Sequence, residues 1–533
     1  MPTDCISFRD TAYVSKLICD YVEKRPELQS LYHRFPTLEN FKAQLEAKQS
    51  EFSSDKRGVL VAALIEQYTE LKPPELTTQA IQSLGDENTF TVTTGHQLNL
   101  LGGPLYFLYK IISTINLAKE LKNKYPKNKF VPIFWMATED HDFEEINHFN
   151  FQNKRFQWTK ETSGAVGALS TSELSEFMEV FSSVLGNSSQ ALELKALVKK
   201  AYLGHSNLAS ATRYFVHALF GSEGLVIIDG NDAALKRLFI PQITSELTNQ
   251  QAFTSVSETN QQLTAIDVAY KIQVNPRELN LFYLKENLRE RIVKKDATYS
   301  VLNTDIEWGL AAILEEVKSH PERFSPNVIM RPLYQETVLP NLCYIGGGGE
   351  LAYWLQLKSY FEAEYIQFPI LLHRNSVLLI SEKQHQKLEK LKISVSDLFQ
   401  DKQALIQSQI KKISTLPIDF SSQKEQLKQQ FEHLYTIASQ TDKSFKGAVS
   451  AQEKKQIKGL DALEKRLLKA EKKAHKDYID RLEALHLELF PNGGLQERIT
   501  NFSEFYLEHG DAFIEQLKSE LAPLNQKFHV LTL

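Results

Sequence analysis

Residues 130–142 read Phe130-Val-Pro-Ile-Phe-Trp-Met-Ala137 and then, without a break, Thr138-Glu-Asp-His-Asp142. An apolar run of that length has the dimensions of a buried strand. The ionisable side chains that follow it, Glu139, Asp140, His141 and Asp142, cannot all be buried without partners. Upstream, Phe90-Thr-Val-Thr-Thr94 reads as a second strand, running into Gly95-His96-Gln97 and then Gly102-Gly103-Pro104. A helix over residues 105–121 follows, with Pro104 placed for its first turn. Strand, helix and strand in close succession predict a right-handed parallel βαβ crossover.

Working outward, residues 225–228 form another apolar run that ends at Asp229, and 327–332 and 370–374 read as further strand-to-loop junctions. The fold class is therefore α/β, a Rossmann-like parallel-sheet core within residues 1–383. Amphipathic helices fill most of 1–90, and segments near 150–205 and 250–320 are inserted. From 384 the composition shifts to Lys, Glu and Gln. Leu427, Phe431, Leu434, Ala438, Thr441 and Phe445 step by four and three, as a heptad seam does. Leu460, Leu463, Leu467, Ala470 and Ala474 repeat the pattern. Four-residue steps to Tyr478 and Leu482 then mark a stutter. This predicts two long helices of similar length over 384–492, an antiparallel coiled coil that Phe490-Pro491 stops. Residues 493–533 are expected to pack back near the core or the coiled coil. The hairpin reads as a dimerisation element or as a solvated arm without a partner.

The whole chain bounds the function. With 533 residues, 42% apolar and 24% charged, it has the make-up of a soluble protein of two or three domains. A net charge of −5 argues against nucleic acid as a partner. The stretch from Met1 to Phe8 lacks the pattern of a signal peptide, and no apolar run is long enough for a membrane helix. Cys5, Cys19 and Cys343 are too scattered for a disulfide framework or a zinc cluster, so no structural metal is expected. The chain reads as cytoplasmic, with no membrane association.

Three clusters could carry chemistry. At the first, Gly102 and Gly103 would let a ligand approach the backbone, and the helix behind them offers N–H groups to an anion, with Lys110 facing it. The alternative is a packing turn with His96 as a cap. At the second, Glu139, Asp140, His141 and Asp142 stand where an α/β enzyme keeps an acid, a base or an ion ligand. The alternatives are a helix cap at Asp140 or Asp142, or a metal site, although no established metal-ligand spacing is present. The third runs from Asn327 through Arg331, Gln335 and Glu336 to Cys343-Tyr344-Ile-Gly346-Gly347-Gly-Gly-Glu350, Tyr353 and Trp354. Its glycines suggest close backbone approach, and Glu350 could contact an amine. Tyr353 and Trp354 also read as core, and Cys343 as a buried residue rather than a nucleophile. Arg374 would suit a carboxylate or phosphate.

Taken together, these segments resemble the BshC family, the cysteine ligases of bacillithiol biosynthesis. The resemblance is carried by Thr94-Gly-His-Gln97 with Gly103-Pro104, by Phe134-Trp-Met-Ala-Thr-Glu-Asp-His-Asp-Phe-Glu-Glu-Ile-Asn147-His148, by Ser325-Pro-Asn327 to Gln335, by Tyr344 to Lys358, and by Leu495-Gln-Glu-Arg498. His96 replaces a usual Gln, and Gly348 replaces a usual Pro.

The resemblance implies a core like that of class I aminoacyl-tRNA synthetases and a C-terminal coiled coil that forms a homodimer. It implies that L-cysteine is joined to the amine of glucosaminyl-malate, completing a low-molecular-weight thiol, with ATP, and Mg²⁺ alongside it, activating the carboxylate. In that scheme His96, Gln97, Gly102, Gly103 and Lys110 attend the nucleotide. Asp140, His141 or Asp142, beside Glu139, hold the cysteine amine or act as base. Arg331 and Arg374 meet the malate carboxylates. Asn147, His148, Gln335, Tyr344, Gly346, Gly347, Glu350 and Trp354 complete the binding set. A non-catalytic nucleotide- or metabolite-binding scaffold and a metal-dependent hydrolase remain the alternative readings.

Overall fold

A computed structural model describes residues 4–533, so the first three residues of the N-terminal stretch lie outside it. Two compact units emerge: residues 4–9, 13–378 and 495–531 form the larger, and 10–12, 379–494 and 532–533 the smaller.

The larger unit is built on five parallel strands: β1 (Thr89–His96), β2 (Lys129–Met136), β3 (Val226–Asp229), β4 (Asn341–Gly346) and β5 (Ile370–His373). Their spatial order is β3-β2-β1-β4-β5. This is the doubly wound arrangement, whose strand order reverses between β1 and β4. The strands are buried on both faces, so they read as continuous apolar or Thr-rich runs rather than alternating ones. Asn341 Oδ1 accepts from the hydroxyls of Thr91 (3.2 Å) and Thr93 (2.9 Å), and Thr94 Oγ1 donates to Ile345 O at 2.8 Å. These bonds tie β1 to β4 along the reversal.

Helix α1 (Tyr106–Lys124) makes the crossover from β1 to β2. Its first four turns are buried nearly all round because it is covered twice. One side packs on the sheet, and on the other Asn116 Nδ2 donates to Lys518 O and Leu521 O of the returning C-terminal segment. The junction expected at 327–332 is instead a strand, Phe324–Pro326, followed by helix α2 (Met330–Val338). Asn327 Oδ1 caps that helix by accepting from Ile329 N–H at 2.9 Å, and Pro332 is tolerated in the first turn, where no amide is needed. Helix α3 (Gly348–Trp354) follows β4. Residues 148–157 form a two-stranded hairpin, and 281–326 contribute an antiparallel five-stranded sheet whose longest strand is Leu288–Lys295.

In the smaller unit, helix α4 (Ser421–Ala438) runs antiparallel to α5 (Lys443–Ala474). Lys424 pairs with Glu464 and Tyr435 with Glu453, partners that advance in opposite directions. Phe431, Ala438 and Val449 form the seam's small core. The expectation of two helices of similar length is corrected. Asp442 accepts from Phe445 N–H at 2.8 Å and starts a new helix there, which puts Thr441 in the turn and Phe445 beyond it. The second helix breaks at His475, within the expected stutter, and resumes as α6 (Lys476–Leu489).

Candidate functional site

The carboxyl ends of β1, β2 and β4 open onto a cleft of about 710 Å³ in the larger unit. Open α/β sheets bind ligands at this edge and at the point of strand reversal. His96, Gln97, Lys110, Glu139, Asp140, His141, Arg331, Tyr344, Gly347, Glu350 and Arg374 all line it.

Asp140, just past the end of β2, lines the cleft with its carboxylate clasped. Gln97 Nε2 donates to its Oδ2 at 2.9 Å and His141 N–H to its Oδ1 at 2.7 Å, with Arg289 4.0 Å away. Burial works to raise this carboxyl, but hydrogen bonding from His141 and Gln97 and the Arg289 charge outweigh it and hold it well below the usual carboxylate range. Asp140 is thus an anion at any working pH, suited to binding an ammonium and a poor proton acceptor. Arg289 Nη1 donates to His141 Nδ1 at 2.6 Å. A guanidinium has only protons to give, so Nδ1 carries the lone pair. Glu139 is neutralised by the fully buried Lys236, which also donates to Phe324 O.

At the reversal, Lys110 Nζ donates to both oxygens of Glu350 at 2.8 Å and to Gly95 O. Burial outweighs the Glu350 charge and lowers the lysine. For Glu350, burial is outweighed by Lys110, Gly347 N–H and Tyr344 OH, which hold the carboxyl at about 2. Tyr344 stacks on Trp354 with ring centres 4.5 Å apart. His96 lies flat against Tyr106, and its buried Nε2 has no partner. Burial, followed by the nearby Lys110 charge, pulls the imidazole down to about 3, so it is neutral. Lys110 therefore serves Glu350 rather than facing an anion directly.

Other sequence candidates lie away from the cleft. Leu101, Gly102 and Gly103 take φ values of 48°, 71° and 67°, and a Cβ on Gly102 would meet the Phe107 ring at 2.6 Å. These glycines make a packed turn. The N–H of Leu105 is given to Thr500 O, so the entry to α1 is covered by the C-terminal segment. Asp142 precedes the helical turn Phe143–Ile146 without a capping side-chain bond. Asn147 and His148 open the 148–157 hairpin and bond to each other at 3.1 Å. Gln335, fully buried, accepts from Arg331 Nη1 at 3.1 Å, and Trp354 and Gly346 support Tyr344 and Glu350 from behind. Arg374 borders the cleft, but its guanidinium is committed to Glu497 through bonds of 2.7 and 3.0 Å, and both side chains are at most 2% exposed.

Sequence reasoning passed over Arg277, Arg289 and Arg291, which also line the cleft. The one local signal was the alternation Leu288-Arg-Glu-Arg-Ile292, which places Arg289 and Arg291 on one face of a strand. Among the described residues no group of three or more His, Cys, Asp or Glu side chains is arranged to hold a metal ion, and no helix is long and apolar enough to cross a membrane.

Comparison with known proteins gives full coverage. The family described as bacillithiol biosynthesis BshC, N-terminal Rossmann-like domain, matches residues 1–375, and its C-terminal coiled-coil domain matches 377–533. A Flavobacterium johnsoniae protein named "Putative cysteine ligase BshC" is 56% identical over 533 residues, covering 100% of both chains. A Bacillus anthracis protein of the same name is 29% identical, covering 97% of this chain and 98% of that one. A solved Campylobacter jejuni structure described as a "putative arginyl t-RNA synthetase" covers 83% of this chain and 97% of that one at 9% identity. Its TM-score of 0.19 is too low to carry an argument.

Proposed function

Because the chain belongs to the BshC family along its whole length, we propose that it is a carbon–nitrogen ligase of bacillithiol biosynthesis, joining L-cysteine to the amine of glucosaminyl-malate with ATP activating the carboxylate. The observation that carries this reading is the Asp140 carboxylate at the end of β2, held by Gln97 Nε2 at 2.9 Å and the His141 N–H at 2.7 Å with Arg289 4.0 Å away, in a cleft that Arg277 and Arg291 also line. An amide cannot form from a free carboxylate and an amine without activation.

In this scheme Asp140 binds the ammonium of cysteine. The cysteine carboxylate displaces pyrophosphate from the nucleotide's α-phosphate, giving a mixed anhydride. The sugar amine attacks its carbonyl, and AMP leaves with the C–O bonding pair. His141, released from Arg289, takes the amine proton on Nδ1. The nucleotide lies in the crevice against the backbone of Gly347–Gly349 and the unpartnered His96 Nε2. Mg²⁺ enters with the nucleotide, since Glu139 and Glu350 are already held by lysines. In the same reading two copies pair through Leu434, Ile437, Phe445 and Leu463, exposed apolar residues of α4 and α5.

Reconstitution tests the scheme. The purified chain with cysteine, glucosaminyl-malate and ATP should yield the thiol by mass, together with AMP and pyrophosphate. Product without nucleotide, or ADP in place of AMP, sinks the adenylate route. No product under any of these conditions sinks the ligase.

A further inference from the structure

Arg277 and Arg291 both line the cleft, and among the described residues neither guanidinium has a hydrogen-bonding or carboxylate partner. Arg291 stands directly across the strand pair from Phe282, and Arg289, on the same face, lies over the Phe282 ring at 3.9 Å. The Arg289 side chain is 7% exposed, and its buried Nε has no partner in the protein. Burial, and after it the Arg277 charge, push Arg291 below the usual guanidinium range.

Like charges do not gather unaided, and here the fold holds them. The Arg277 N–H donates to Asn280 Oδ1 at 3.2 Å, while Asn280 Nδ2 donates to Arg277 O and to Glu246 Oε1, each at 2.8 Å. Glu246 is fully buried, so the backbone carrying Arg277 is anchored to the interior. Arg277 is exposed and Arg291 half-buried, so both guanidiniums keep donors available to an anion entering the cleft, beside the buried Arg289 whose Nε has no partner.

We propose that Arg277 and Arg291, backed by Arg289, form the subsite for a dicarboxylate, the malyl end of the sugar substrate; the identity of that occupant rests on the ligase reading above. Arg289 joins this group to His141 and Asp140 at the end of β2. Planar forks match carboxylates two bonds at a time. The role given to Arg374 from sequence passes to this pair, because Arg374 is spent on Glu497.

The test titrates the full-length protein with L-malate, and separately with ATP, by calorimetry. Arg277→Gln and Arg291→Gln should each weaken malate binding roughly 10- to 100-fold and leave ATP binding unchanged. Arg291→Lys, which keeps charge but not the fork, should recover part of the loss. Thermal melts identify any variant that fails to fold, and for it the Lys replacement is read instead. With glucosaminyl-malate as substrate, KM should rise in the Gln variants while KM for cysteine holds. Malate binding unchanged in the variants, a loss that falls on ATP, or no malate binding to the wild type at millimolar concentration each overturns the subsite. If malate binding depends on both arginines but the wild type makes no thiol product, the ligase reading fails and the anion site stands.

Discussion

Replacing Glu497 with Gln would test whether Arg374 belongs to the scaffold or to the substrate. Glu497 takes two bonds from the Arg374 guanidinium and a third from Val377 N–H at 3.0 Å, with its side chain 1% exposed. Gln keeps the shape and one acceptor but removes the charge, leaving a guanidinium buried without a counter-ion. Breaking a buried pair in this way costs about 3–5 kcal/mol. At about 2.1 cal/mol/K of unfolding entropy per residue, a unit of roughly 400 residues loses about 0.85 kcal/mol per degree, so the melting transition should fall by about 3–6 °C. Scanning calorimetry on the full chain would follow the transition of the larger unit. The double variant Arg374→Met with Glu497→Leu should regain most of the loss, since an apolar pair removes both desolvation costs together. The reasoning is refuted if Glu497→Gln melts within a degree of the wild type. It is refuted equally if Arg374→Met keeps full stability and raises only KM for the sugar substrate, which would make Arg374 a ligand-binding residue.

Other expectations follow from the site's geometry. Because the folded-state carboxyl of Glu350 lies near 2, below its usual 4.5, its contribution of about 3 kcal/mol at most is present above pH 4.5 and is lost as pH falls toward 2; acid unfolding of Glu350→Gln should therefore be less steep over that window than that of the wild type. Gly102→Ala should cost about 2–4 kcal/mol by denaturant titration, from the positive φ and the Phe107 contact, without changing ligand affinity; a weaker nucleotide affinity in a stable variant would contradict the turn role. Asp140→Asn should leave the melting temperature within a few degrees of the wild type and reduce kcat/KM for cysteine by about 100-fold or more; retained turnover would remove Asp140 from the site.

The residues at strand ends were legible because their chemistry is local. An apolar run that ends in Thr138-Glu139-Asp140-His141 declares a strand end at the edge of the sheet, and the run of Gly before Glu350 declares a tight junction. Lys110 was visible, but its partner Glu350 is 240 positions away. Gly102 and Gly103 misled because a glycine turn that packs and one that approaches a ligand have the same sequence. Asn501, which donates to Leu101 O and Gly103 O, decides between the two and reaches the turn only through folding.

By itself, the sequence determined the parallel sheet, its strand ends and the presence of a helical hairpin, because strand burial and heptad spacing act over a few neighbouring residues; the heptad reading overshot the seam, since Leu434, Phe445 and Leu463 are exposed. The family resemblance extended that to the whole chain. Only the tertiary structure decided which cations are free. It spent Arg374 on Glu497, Lys236 on Glu139 and Lys110 on Glu350, and left unpaired Arg277, in a loop, and Arg291, on a strand whose alternation alone was ambiguous. Charge pairing is a contest among groups brought together from distant parts of the chain, and its outcome is fixed by burial and distance in the folded protein.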